Sequence, residues 1–267
     1  MTDRDIEHDG LKFRVRMDMP AQEPGGPAPW IVCSNSLATN LTLWDDLVAA
    51  FANRYRILRC DQRGHGGTTV PPAPATIEQL ADDADALMAA HGVQDATFIG
   101  VSMGAATGLC AAARPGSRIA RLVAADGNAA TPPGGAAAWA DRLAYAAANG
   151  MAAFAELTIP RWFAPASIAA GHPAIPHVRK MIETTSLEGL VACATALQSY
   201  DLTDRLPAIR QPTLLIAGAH DGVMPASMRK LNTQIAGARY AEIPAAGHLP
   251  CIEQPAAFIA EIEKFLS

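Results

Sequence analysis

From residue 30 onward the chain carries short apolar, β-rich runs that do not alternate with polar residues: 30–33 (WIVC), 55–60 (YRILRC), 97–99 (TFI), 119–124 (IARLVA), 212–217 (PTLLIA) and 240–243 (YAEI). Continuous runs of this kind suit strands covered on both faces, as in a parallel sheet. The start of the chain has a different rhythm. Ile6 to His8, an Asp9-Gly10 turn and 11–17 (LKFRVRM), where apolar and basic residues alternate, predict a β-hairpin whose second strand has one wet face. Between the two regimes, Pro24-Gly25-Gly26-Pro27 places a loop over 21–29.

Helical patterns separate most of the apolar runs. Thr76 and Gln79 have capping-box spacing, and Ile77, Leu80, Ala84, Leu87 and Met88 recur on one face. The Ala-rich stretch 105–113, stopped by Pro115, is a second helix, and 254–266 closes the chain with a stripe of Phe258, Ile259, Ile262 and Phe265. This alternation predicts an α/β fold, a doubly wound, mostly parallel eight-stranded sheet with helices on both faces. One region interrupts it. After Thr131-Pro132-Pro133-Gly134-Gly135, roughly seventy residues have helical character and no convincing strand. The expected division is a core of 1–130 and 207–267 and a helical cap of 131–206 over the C-terminal edge of the sheet, where open α/β sheets bind ligands.

Composition narrows the picture. The chain of 267 residues is 50% hydrophobic and 18% charged, enough apolar material for a large core. A net charge of −5 without a basic run argues against nucleic acid and against an anionic membrane surface as partners. The five cysteines are scattered and odd in number, which suits buried thiols in a reducing compartment. The start MTDRDIEHDG lacks the pattern of a signal peptide, and no apolar stretch reaches membrane-spanning length. The expectation is a cytoplasmic protein. No His/Cys cluster has metal-ligand spacing, so no metal is expected.

The sharpest chemical signal is Gly100-Val101-Ser102-Met103-Gly104. A serine hydroxyl is a weak nucleophile unless it is held where a base can reach it, and a strained strand-to-helix turn does this only between small residues. Here an apolar run precedes the motif and a helix-forming run follows. The order for such a turn is serine, then acid, then histidine. Of the histidines after Ser102, His248 stands in 245–250 (AAGHLP), between the last strand and the last helix, and is the expected base. Asp221 ends an apolar strand and is the expected acid, with Asp126, at the end of the preceding strand, as its competitor. Two N–H donors should face the developing oxyanion, those of Met103 and of Leu37 in the loop 34–40 (SNSLATN). Asp61-Gln62-Arg63-Gly64-His65-Gly66 follows a strand and allows a catalytic reading, but a tight turn whose Asp61 and Arg63 tie loops together is the preferred one.

The segments SNSLATNLTLWD (34–45), DQRGHG (61–66), GVSMG (100–104), RWFAP (161–165) and AGHLPCIEQP (246–255) resemble, in this order, the α/β-hydrolase superfamily. SNSL and RWF resemble its 3-oxoadipate enol-lactonase branch more narrowly. The resemblance implies a hydrolase of small esters or lactones in aromatic-compound catabolism that needs water and no cofactor. It supports the roles given to Ser102, Asp221, His248, Leu37 and Met103. Other enzymes with the same serine–histidine–acid set, namely carboxylesterases, C–C bond hydrolases of ring-cleavage products and perhydrolases, are the alternatives. Ala38 and Ala105 depart from that branch by standing where glycine is expected. Substrate contacts are expected at Ser36, Arg161 and Trp162, with Arg161 gripping a substrate carboxylate. Oligomeric state is not legible.

Overall fold

The computed structural model describes residues 2–21 and 26–267; Pro24 and Gly25 of the expected loop lie outside the described residues. Strands β1 (Thr2–His8) and β2 (Leu11–Asp18) form the antiparallel hairpin. Asp9 and Gly10 turn the chain with φ of 51° and 71°, both in the left-handed region that a two-residue hairpin turn requires. On β2, Leu11, Phe13 and Val15 are buried while Lys12 is exposed, the alternation of a strand with one wet face.

There follow β3 (Trp30–Ser34), α1 (Asp45–Phe51), β4 (Arg56–Cys60), α2 (Ile77–Ala90), β5 (Ala96–Val101), α3 (Met103–Ala112) and β6 (Ile119–Ala125). Four helices come next: α4 (Gly135–Trp162), α5 (Pro165–Ala169), α6 (Ile175–Thr184) and α7 (Leu187–Ala196). The chain ends with β7 (Thr213–Gly218), α8 (Met224–Asn232), β8 (Arg239–Ile243), α9 (Pro250–Glu253) and α10 (Pro255–Leu266). The eight strands form one sheet in the order β1-β2-β4-β3-β5-β6-β7-β8. It is parallel from β4 to β8, and only the β1–β2 and β2–β4 pairs are antiparallel. Every residue of β3, β5 and β7 is buried, as unbroken apolar strands between two helical layers should be.

Local chemistry fixes the elements. The Thr76 hydroxyl accepts the Gln79 N–H and the Gln79 side chain accepts the Thr76 N–H, so α2 starts with a complete capping box. The helices α4 to α7 leave and rejoin the sheet side by side, because Ala130 and Asp201 form an antiparallel bridge. They are also tied to the core from behind. A Cβ on Gly189 of α7 would stand 1.9 Å from the Gly64 carbonyl oxygen, so helix and core meet backbone to backbone. Ala75 N–H donates to the Ala192 carbonyl at 2.9 Å in the same contact. Among the described residues, no helix is long and apolar enough to cross a membrane.

Candidate active site

Ser102 sits between the end of β5 and the start of α3 with φ 57° and ψ −112°, outside the regions a side chain normally adopts. The flanking glycines are obligatory. A Cβ on Gly100 would lie 2.2 Å from the Gly104 carbonyl oxygen, and one on Gly104 would lie 2.0 Å from that of Ser34. The backbone thus crosses itself here, and no side chain fits on either side of the serine. Gly127 serves a related end: a Cβ there would lie 2.5 Å from the Cβ of Ala105. Its absence makes room for Ala105.

The loop after β3 is held by buried polar contacts. Trp44 Nε1–H donates to Asn35 Oδ1 at 2.7 Å, and Asn35 Nδ2–H donates to the Cys60 carbonyl at 2.8 Å. Asp61 accepts the N–H groups of Leu41 (2.7 Å) and Gly67 (2.8 Å). Arg63 is paired through two nitrogens with buried Asp83, at 2.7 and 2.6 Å. His65 Nε2 accepts the Ala38 N–H at 2.9 Å, and its Nδ1–H donates to the Arg63 carbonyl at 3.0 Å. The segment 61–66 is therefore a brace behind the 34–40 loop. Within that loop Ala38 has φ 58°, the left-handed region where glycine is at ease. The Ser36 hydroxyl is buried and has no hydrogen-bond partner among the described residues.

His248 is positioned from three sides. Its Nδ1 lies 2.7 Å from Asp221 Oδ2. A carboxylate only accepts, so Nδ1 donates to it, and of the two neutral tautomers this bond selects the one with the lone pair on Nε2. Its backbone N–H donates to the Trp162 carbonyl at 2.9 Å, and the Trp162 ring stacks on the imidazole at 5.9 Å and 28°. Buried Glu253 accepts the N–H groups of Gly247 (2.6 Å) and Ala164 (2.8 Å), which binds the histidine loop to the chain leaving α4. Glu253 had no signal in the sequence beyond its place five residues after His248.

Asp126, the other acid considered, does not hold the histidine. Its Oδ1 accepts the Gly218 N–H at 2.9 Å and its Oδ2 is buried without a partner among the described residues. Burial first, and then the charge of Asp221, push its pKa well above the usual carboxylate range.

These groups meet in one cavity of about 560 Å³. Its walls include Ser36, Leu37, Ser102, Met103, Asp126, Asp221 and His248. Arg161 and Trp162 line it too, Trp162 buried and Arg161 exposed at the wall. Ser102 and His248 face the same space without a direct hydrogen bond between them, and such contacts commonly tighten only when a substrate arrives. Met103 opens α3, so its N–H has no acceptor within the helix. A serine hydroxyl, an imidazole paired with a carboxylate and a helix-opening backbone N–H thus line one cavity of the size a small ligand fills. Arg142, on α4, also lines this cavity and was not singled out by any pattern in the sequence.

The chain belongs to the alpha/beta hydrolase family, whose family model matches residues 24–261. Within it, the sequence is 33% identical over 235 residues to 3-oxoadipate enol-lactonase 2 of Acinetobacter baylyi, covering 88% of this chain and 87% of that protein. It is 28% identical over 251 residues to a putative carbamate hydrolase of a Caulobacter species, covering 91% and 93%. Among solved structures, the enol-lactonase from Burkholderia xenovorans superposes with a TM-score of 0.91 at 37% identity, covering 98% of this chain and 99% of that one. The similarity to enol-lactonases read from the motifs thus extends over nearly the whole chain, and hydrolase activity has the support of these relatives.

Proposed function

We propose that the protein is a serine hydrolase of a small ester or lactone, and that its substrate is 3-oxoadipate enol-lactone in the catabolism of aromatic compounds. The observation that carries this reading is the 2.7 Å contact between His248 Nδ1 and Asp221 Oδ2 at a cavity that Ser102 also lines. The Ser102 hydroxyl attacks the lactone carbonyl while His248 Nε2 takes its proton. Negative charge gathers on the carbonyl oxygen and is met by the N–H groups of Leu37 and Met103. His248 returns the proton to the leaving oxygen, and the ring opens with the acyl group on Ser102. Water, deprotonated by the same imidazole, then releases the product. No cofactor enters these steps, and the reading places them in the cytoplasm.

Support for a lactone comes from the similarity to enol-lactonases and from a cavity that suits one small ligand. Similarity to a carbamate hydrolase favours a second reading in which the scissile carbonyl is a carbamate. The test is a panel of the enol-lactone, p-nitrophenyl esters, a vinylogous diketone and a simple carbamate. The reading expects kcat/KM on the lactone to exceed the others by at least about 100-fold, the scale on which a shaped pocket separates related substrates. Preference for the carbamate or the diketone would overturn the substrate assignment.

A further inference from the structure

Asp126 is held rigidly beside the acid of the site. Its backbone, at φ 46°, lies in the left-handed region that side-chain-bearing residues rarely adopt. Its N–H donates to the Ile216 carbonyl at 2.9 Å and its Oδ1 accepts the Gly218 N–H at 2.9 Å, so both bonds run to β7. The residue before it anchors the serine, since the Ala125 carbonyl accepts the Ser102 N–H at 2.8 Å. Asp126 and Asp221 line the same cavity.

Its second oxygen is unaccounted for. Asp126 Oδ2 is buried and no donor reaches it among the described residues. Asp221 bonds His248 through Oδ2 and receives no other hydrogen bond among the described residues. The surroundings offer neither a donor nor a countercharge to Asp126. Glu253, on α9, is a further carboxylate acting on it, and Cys251 of the same helix is a buried thiol. The hydroxyls of Tyr200 and Tyr240 are given to the Asn128 carbonyl (3.0 Å) and to Glu242 (2.7 Å). His220, Arg142 and Arg161 line the cavity without an ion pair to Asp126, and His248 pairs with Asp221. Burial, then the charge of Asp221, favour the protonated form of Asp126, and Asp221 is also near enough to be its side-chain hydrogen-bond partner. Two ionised carboxylates are both acceptors and repel; a single proton on Asp126 makes them donor and acceptor.

We propose that Asp126 carries a proton at neutral pH and donates it in a hydrogen bond to Asp221, and that it is thereby a positioning residue that sets the basicity of His248. The bond draws negative charge from the Asp221 carboxylate toward Asp126. Asp221 then stabilises the imidazolium less, and His248 remains a neutral base to lower pH. It also fixes the Asp221 oxygen that does not face the imidazole. The proton stays on Asp126 throughout the reaction. The proposal rests on the serine hydrolase reading for its kinetic consequence, but not for the shared proton.

The experiment follows the acid limb of kcat/KM for p-nitrophenyl acetate, which reports the histidine of the free enzyme. Asp126→Leu has no proton to give, and its limb should move up by about one pH unit. Asp126→Asn can accept the Gly218 N–H with its amide oxygen and donate to Asp221 with its nitrogen, so its limb should stay within about 0.3 pH unit of the wild type. An ionised Asp126 would instead give lower limbs in both variants, because each removes a negative charge. A packing role would move neither limb. Either result overturns the proposal. A second measurement needs no turnover. The infrared spectrum of the wild type at neutral pH should contain the carbonyl stretch of a protonated carboxyl that Asp126→Asn lacks. The proton resonance of His248 Nδ1–H should move downfield in Asp126→Leu and not in Asp126→Asn. Absence of the infrared band overturns the proposal even if Asp126→Leu does not fold. If no ester is hydrolysed but the band and the resonance behave as stated, the hydrolase reading fails and the shared proton stands.

Discussion

Asp126 Oδ1 accepts the backbone N–H of Gly218 at 2.9 Å, which fixes the turn after β6 to the end of β7, the strand that delivers Asp221. The two aspartates stand at neighbouring strand ends, near enough for Asp221 to raise the pKa of Asp126, and it is Asp221 that bonds the imidazole while Asp126 bonds the Gly218 N–H. Asp221→Asn should lower kcat by about 10³- to 10⁴-fold, the scale of losing the acid in such a set. Asp126→Asn, which can still accept the Gly218 N–H, should stay within about tenfold. Steady-state kinetics of the two variants decides it, and the reverse order would reassign the acid.

The same pair sets a pH dependence of stability. The native Asp126 pKa is raised above 3.8, mainly by burial, so above that pH the unfolded chain ionises first and the native state binds the extra proton. Stability from this group therefore falls as pH rises from about 4 toward the native value, by at most about 1.4 kcal/mol per pH unit. Asp126→Asn lacks this loss. Urea unfolding from pH 4 to 8 should show the variant gaining on the wild type as pH rises, and a constant difference would contradict the assignment.

His65 titrates in the opposite sense. Burial lowers its pKa from 6.5 to about 4, and its two ring nitrogens serve Ala38 and Arg63 only in the neutral form. The stability it contributes is complete above pH 6.5 and is lost as pH falls toward 4, on the order of 3 kcal/mol in all. In His65→Gln this acid slope should be absent. Because Ala38 follows Leu37, the proposed oxyanion donor, the variant should also lose kcat about tenfold. A wild-type acid slope in the variant would show that other groups cause it.

Glu253 joins two loops through Gly247 and Ala164. Glu253→Gln presents an amide N–H to one of those donors and should destabilise the fold by about 2 kcal/mol. Activity should fall with it, since His248 follows Gly247 directly. Denaturant midpoints and kcat measured together test this, and a stable, fully active variant would refute the role.

Much of the frame was legible because it depends on short-range physics. The capping box of Thr76 and Gln79, the Asp9-Gly10 turn and the glycines around Ser102 each act on atoms within a few residues or at one backbone crossing. The brace formed by Asp61, Arg63 and His65 was legible in kind, from its turn residues, but its partners were not. Arg142 and Glu253 escaped notice because their surroundings are assembled late. Arg142 meets Thr158 only through the bend at Gly150, and the Glu253 carboxylate finds its donors only where two distant loops meet. Arg161, chosen from its place beside Trp162, lines the cavity but is exposed, while half-buried Arg142 stands nineteen residues earlier in the chain.

The most direct test of the account is to look for an acyl group on Ser102. Wild-type protein mixed with p-nitrophenyl acetate should give a burst of p-nitrophenol and a tryptic peptide containing Ser102 heavier by one acetyl group. Ser102→Ala should show neither, with kcat lower by about 10³-fold or more. Turnover at the wild-type rate by Ser102→Ala, or an acyl group on another residue, would contradict it.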